Sequence, residues 1–276
     1  MKGCTIKGLC GLVRMSRQAY YKQERVRECR QLDEEKILEL VRGIRALHPR
    51  IGGLKLLEKL RPALLDAGIG LGRDRLFDLL RSRQMLVAPK KKSVRTTYYD
   101  SALPVFRNQL YELAPSGVHQ AWVADITYID TDQGPLYLTL LTDLYSRMIV
   151  GFNCAETLVA AESIEALMMA IDQLPPGFYP THHSDRGCQF CSHEYVGTAQ
   201  AAGLSISMTE QNHCYENCYA ERVNGILKGE YNLDLRFRSK AQARRAVAQA
   251  IELYNHDRPH LSLQMHTPAQ IHQAAA

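Results

Sequence analysis

The chain has 276 residues, 46% of them hydrophobic and 23% charged, with a formal net charge of +5. This is ordinary globular composition, able to bury a core in one large domain or two. No run of about 18 apolar residues is present to span a bilayer, and the start, MKGCTIKGLCGLVRM, is broken by Lys7, Gly8, Gly11 and Arg14, which excludes a secretory signal and leads us to expect a cytoplasmic protein.

The charge is unevenly spread. Residues 1–100 hold 23 Lys/Arg against 11 Asp/Glu, while residues 101–276 hold 11 against 18. A basic front half suits a module that holds nucleic acid through its phosphates, or a solvated basic helical surface. An acidic back half suits a metal-binding catalytic module.

In chain order, residues 4–22 predict two short helices around Gly11, with Ser16 as N-cap of the second. Arg17 and Lys22, beside Tyr20 and Tyr21, would suit a recognition helix in a DNA groove; a plain helical hairpin is the other reading. A helix over 33–47 places Ile37, Leu40, Val41, Ile44 and Leu47 on one face. A second spans 53–66, with Leu54, Leu57, Leu60, Leu64 and Leu65 apolar, and a third 73–85, with Leu76, Leu79 and Leu80 inward. Together they predict a small helical bundle. Residues 88–101 read as a basic linker, whose Lys90, Lys91 and Lys92 either touch a phosphate backbone or are simply solvated. Residues 102–118 read as a loose lead-in.

From 120 the pattern becomes strand-like. Strands are expected over 121–130, 135–142 and 147–154, with Gly134-Pro135 turning between the first two. A helix over 158–174 follows, then a strand over 180–184, a helix over 192–202, a strand over 204–208 and a helix over 216–230. One more helix covers 239–255, before a proline-containing tail.

Three carboxylates stand out in this frame: Asp125 in AWVADITYID, Asp185 in HHSDRGCQF and Glu221 in ENCYAERVNGILKGE. Carboxylates gathered from separate strands and a helix repel one another unless a cation lies between them. Hard oxygen donors select Mg²⁺ or Mn²⁺, and a pair of such ions suits in-line displacement at a phosphodiester. Glu221, Asn224 and Lys228 are spaced i, i+3, i+7 and share a helical face. His183 lies two before Asp185, so strand alternation puts both on one side. It could contact a phosphate, orient a ligand or be a structural histidine. Asn217, one helical turn before Glu221, reads as a cap or a DNA contact, Trp122 as core or edge packing, and Asp143 with Arg147 as a structural pair. Eight cysteines without a secretory signal argue against a disulfide framework. Cys188-x₂-Cys191 and Cys214-x₃-Cys218 resemble a zinc-ligand spacing superficially, against a reading as unpaired small thiols.

WVADITYI, LTDLYSRMIVGF, HSDRGCQF, ISMT, NCYAERVNGILKGEY and the tail YNHDRPHLSLQMHTPAQIH resemble, in order and spacing, the insertion-sequence transposases of the DDE superfamily, which includes the retroviral integrases. The likeness covers residues 33–272. It implies an α/β fold: a ribonuclease H-like catalytic core with an all-α N-terminal helix-turn-helix-like region. The implied organisation is a helix-turn-helix-like segment over 1–30, a three-helix DNA-binding domain over 31–88, a basic linker over 89–117, the core over 118–232, and a C-terminal helix and tail over 233–276. In that fold the first and fourth strands adjoin, which would bring Asp125 and Asp185 together. The resemblance assigns Asp125, Asp185 and Glu221 to catalysis and to two Mg²⁺ ions per site, with Mn²⁺ as substitute, Asp125 touching both ions. It assigns Lys228 to substrate DNA; Asn224, by its helical face, and His183, by strand alternation, are further DNA-contact candidates. Glu216 stands where relatives often carry Asp. The implied activity is cleavage and transfer of DNA strands at the terminal inverted repeats of a mobile element. The implied partners are double-stranded DNA (element ends and target), further copies of the chain, and an upstream-frame protein or fusion. A nuclease that cuts without joining would need the same carboxylates. A DNA-binding regulator with a vestigial core would not need the intact triad.

Overall fold

A computed structural model of the chain describes residues 5–88, 104–210 and 216–275. Lys90, Lys91, Lys92 and Cys214 lie outside the described residues. The chain divides into two compact units: residues up to Leu47 with Gly52–Leu86, and His48–Ile51 with the chain from Val87 onward. Among the described residues no helix is long and apolar enough to cross a membrane.

The first unit is all helical: α1 (Ile6–Leu12), α2 (Arg17–Leu47), α3 (Gly53–Asp66) and α4 (Arg73–Ser82). Ser16 caps α2 as expected, its Oγ accepting from the Ala19 amide at 3.1 Å. The two helices expected between Ser16 and Leu47 are instead one helix of 31 residues. The stretch contains no proline and only one glycine, Gly43, so nothing in it ends a helix once started. Asp33, read as a helix start, is an interior residue, and residue 30 also falls inside α2. The core is built from Ile37, Leu38 and Val41 on α2, Leu56, Leu60 and Leu64 on α3, and Leu76, Leu79 and Leu80 on α4. The expected stripe is therefore rotated: Leu47, Leu54 and Leu65 are exposed, because the 56/60/64 row of α3 meets its neighbours.

The second unit contains β1 (Ala121–Ile129), β2 (Leu136–Asp143), β3 (Ile149–Ala155), α5 (Ala160–Ile171), β4 (Thr181–Ser184), α6 (His193–Ala201), β5 (Ser205–Met208), α7 (Cys218–Glu230), α8 (Lys240–His256) and α9 (Pro268–Ala274). Its five strands lie in the order β3-β2-β1-β4-β5. The first three pair antiparallel, and β4 and β5 run parallel to β1. This is the ribonuclease H-like arrangement, with β1 and β4 adjacent as expected.

Helices cover both faces of the sheet. On one, Trp122, Ala124, Leu141 and Val150 pack with Ala166, Leu167 and Ala170 of α5 and Tyr195, Val196 and Ala199 of α6. On the other, Leu136, Leu138, Leu140 and Ile149 pack with Val223, Ile226 and Leu227 of α7 and Val247, Ala250, Ile251 and Tyr254 of α8. α5 lies so close to β3 that a Cβ at Gly151 would collide with the Ala166 carbonyl oxygen.

Two expectations about irregular chain are revised. Within the lead-in, Gln109 is bonded to β5 through Ser207 Oγ and the Ile206 carbonyl, both at 2.8 Å, and Asn108 Nδ2 donates to Glu216 at 2.9 Å. The tail carries α9, started by a capping box between Thr267 and Gln270 with Pro268 in the first turn.

Candidate active site

Strand alternation decides which side Asp125 serves. Trp122 and Ala124 point to the α5/α6 layer, while Ala121 and Val123 pack with Ala220 of α7. Asp125 follows Val123 by two and faces α7. The parallel ladder pairs Val123 with His183. The ladder ends there; Asp185 follows immediately beyond β4, near enough to Asp125 for the two carboxylates to act on each other.

Each carboxylate has a distinct support. Asp125 Oδ1 accepts from the Ile126 amide at 2.9 Å, and its Oδ2 from Asn224 Nδ2 at 2.8 Å. Asp185 Oδ1 accepts from the Gly187 amide at 3.0 Å, and Arg186 Nε donates to the Thr209 carbonyl, so Arg186 and Gly187 shape the turn after β4. Glu221 is exposed in the first turn of α7. Its helix is held to β1 on either side of it: Asn217 Nδ2 donates to the Ala124 carbonyl at 2.9 Å, and Asn224 reaches Asp125.

The three charges feel one another. Burial, then Asp185, and more weakly Glu221 push the Asp125 carboxyl up to about 7, against the bonds from Asn224 and Ile126, which lower it. Among the described residues no three His, Cys, Asp or Glu side chains close around a single ion. The donor set nonetheless fits a hard divalent cation: it is all carboxylate oxygen, mutually repulsive, and its buried member, Asp125, stays proton-binding near neutrality until positive charge arrives. An open set of this kind suits an ion that completes its shell with water and phosphate oxygens, as Mg²⁺ does.

Residues 115–214 match an integrase core domain family, and residues 202–268 match a second family of the same description. The first segment contains Asp125 and Asp185, the second Glu221. Among solved structures, the catalytic core domain of the HTLV-2 integrase in complex with magnesium aligns with 58% of this chain and 99% of its own, at 21% identity and a TM-score of 0.47. The transposase InsF for insertion sequence IS3A of Escherichia coli (strain K12) is 29% identical over 262 residues, covering 93% of this chain and 90% of that one. An insertion element IS600 uncharacterized 31 kDa protein of Shigella sonnei is 34% identical over 276 residues, 97% of this chain and 100% of its own. The chain belongs to the insertion-sequence transposases of the DDE/integrase superfamily. It is accordingly an enzyme that cleaves and transfers DNA strands.

Several residues singled out in the sequence take other places in this transposase. His183 is fully buried, with Nδ1 2.8 Å from Ser207 Oγ, and burial holds its pKa down to about 4. A neutral ring without exposed surface fits the structural reading and leaves DNA nothing to touch in this arrangement. Asn224 is 6% exposed, and its Nδ2 donates to Asp125. Asn217 makes no cap bond and docks α7 onto β1. Asp143 and Arg147 form no side-chain pair: Asp143 accepts from the His119 amide at 2.8 Å and from Ser146 N and Oγ at 2.8 and 2.9 Å, whereas the Arg147 guanidinium lies 4.2 Å from the centre of the Tyr219 ring. Trp122 is core, as expected.

The remaining candidates stay at or near the surface. Lys228 is half-buried in the last turn of α7, on the Glu221 face. Arg17 and Lys22 are exposed on α2. The described cysteines are free thiols; Cys191 is buried with Sγ 3.7 Å from Met208 Sδ, and burial pushes it up to about 11. A groove of about 790 Å³ lined by Tyr111, Leu144, Tyr145, Arg147, Tyr219 and Leu263, among others, borders α7 but includes none of the three carboxylates.

Proposed function

We propose that the transposase acts at the terminal inverted repeats of its own element, and that Asp125, Asp185 and Glu221 are its catalytic carboxylates. The observation that carries this reading is the convergence of the three carboxylates from β1, the end of β4 and α7: Asp185 and Glu221 both raise Asp125. Asp125 would bind two Mg²⁺ ions, which Mn²⁺ can replace, with Asp185 and Glu221 each completing one. Such ions supply activation of a water or a DNA 3′-hydroxyl and neutralisation of the leaving oxygen. The carboxylates act as ligands, not nucleophiles, so no covalent protein–DNA intermediate forms. Lys228 would place its ammonium against a phosphate near the reacting bond. Arg17 and Lys22, on the basic helical region before residue 88, would hold flanking duplex through its backbone, with Lys90, Lys91 and Lys92 adding phosphate contacts. The working form would be an oligomer on DNA, joined or assisted by an upstream-frame protein.

The test is a gel assay with labelled DNA carrying the gene's own flanking ends, in Mg²⁺ or Mn²⁺, with Asp185→Asn and Glu221→Gln as controls. Metal-dependent nicking with joined products, lost in both variants, is the expected result. Nicking without joining would point to a nuclease, and binding without cleavage in either metal would overturn the catalytic assignment.

A further inference from the structure

We propose that Asn224 is a positioning residue for strand cleavage: it orients the Asp125 carboxylate for metal and does not contact DNA. The inference deepens the reading of Asp125 as a metal ligand and rests on it. Three features of the site carry it.

First, each oxygen of Asp125 has one donor, Oδ1 the Ile126 amide and Oδ2 the Asn224 amide. Two donors on opposite oxygens fix the plane of the carboxylate, and each oxygen keeps a lone pair for a cation. Second, the donor is neutral. An Arg or Lys at this position would itself balance the carboxylate charge and compete with the cation, whereas an amide orients the group and leaves its charge in place. Third, Asn224 is 6% exposed and its Oδ1 is buried without a hydrogen-bond partner. Leaving that acceptor unpaired costs free energy. Its Nδ2 bond to Asp125 is the feature that offsets this.

The same contact sets the position of Glu221. Asn217 and Asn224 dock α7 on consecutive residues of β1, Ala124 and Asp125, and Glu221 lies four residues after one and three before the other. A change at Asn224 therefore disturbs two ligands together.

The test uses the full chain with Asn224→Leu, which keeps the branching of the side chain and removes the donor, and Asn224→Ser, a shorter and weaker donor that also covers a misfolded leucine variant. Four quantities are read: cleavage against Mg²⁺ concentration, Mn²⁺ binding by electron paramagnetic resonance, DNA affinity without metal, and melting in EDTA. The metal midpoint should rise about 10- to 100-fold in Asn224→Leu, the usual effect of losing a group that orients a ligand. Mn²⁺ affinity should weaken in step, and Asn224→Ser should fall between. DNA affinity should stay at the wild-type value, and cleavage should recover at saturating Mn²⁺. Weakened DNA binding with an unchanged metal midpoint would overturn the proposal in favour of a substrate contact. Wild-type values in all four would overturn it outright. If the wild type itself shows no metal-dependent cleavage, the assignment of the carboxylates fails first, and the two failures are thereby told apart.

Discussion

Asp125 on β1 and Asp185 just beyond the adjacent parallel strand β4 each follow the paired Val123 and His183 by two residues, and after burial Asp185 is the largest influence holding the Asp125 carboxyl high. The fold thus keeps two carboxylates in a place where, without a cation, they repel. Replacing Asp125 with Asn should relieve that repulsion. Ile126 can still donate to the amide oxygen, and Asn224 can turn its unpaired Oδ1 toward the new NH₂. We expect Asp125→Asn to stabilise the metal-free protein by about 1 kcal/mol, a rise in melting temperature of roughly 2–4 °C, while cleavage is lost. A lower melting temperature in EDTA would show that the charge is not a burden on the fold.

The same carboxyl makes stability depend on pH. Its ordinary value is 3.8 and its value in the folded chain about 7. Between the two, the native protein holds a proton that the unfolded chain has released. Stability of the metal-free protein therefore falls as pH rises through that window and levels off above about 7. Metal binding must expel this proton, so affinity for Mn²⁺ should weaken as pH drops below about 7. Calorimetric titration in two buffers of different ionisation enthalpy would detect the released proton at pH 6 and little of it at pH 8. Equal release at both would refute the shift.

The fold and the convergence of the three carboxylates were readable because their signals are periodic or local. Strand alternation around Asp125, the turn at Gly134-Pro135 and the 3.6-residue spacing of α7 each declare themselves in a short window. What escaped depends on partners far away in the chain. Asn224 and Lys228 share a helical face with Glu221, but only the docking of α7 on β1 decides that the asparagine is taken by Asp125. His183 shares a face with Asp185, yet Ser207 on the neighbouring strand and the covering chain bury it. The break expected between residues 22 and 33 does not occur, because residues 17–47 hold no proline and only Gly43 to interrupt a helix. α9 was missed despite a local signal, the Thr267-Pro268-Ala269-Gln270 capping box.

The reassignment of His183 has its own test. Its ring is buried, neutral and bonded to Ser207, so His183→Ala removes a hydrogen bond and opens a cavity. A loss of about 2–3 kcal/mol is expected, read as a lower denaturation midpoint at unchanged DNA affinity per folded molecule. Weaker DNA binding without loss of stability would restore the DNA-contact role.

Gly151 tests the packing that supports the sheet. A Cβ there meets the Ala166 backbone and crowds Ala170, both on α5 against the β3 strand. Backbone cannot yield as a flexible side chain does, so Gly151→Ala should cost about 1–3 kcal/mol and Gly151→Val more. Urea unfolding followed by circular dichroism would measure both, and a neutral Gly151→Ala would mean that α5 can move away from the sheet freely.

Lys228 separates affinity from chemistry. It lies on the Glu221 face at the end of α7, where an ammonium can meet a phosphate oxygen but reaches no base edge by necessity. Lys228→Ala should therefore weaken binding to specific and unrelated DNA alike. The slope of log affinity against log salt should shrink by about one, the change expected for one lost phosphate contact. Lys228→Arg should keep both the affinity and the slope, since it keeps the charge. Metal affinity should not change, in contrast to Asn224→Leu one turn earlier on the same helix. An unaltered salt slope in Lys228→Ala would place this lysine outside the DNA interface.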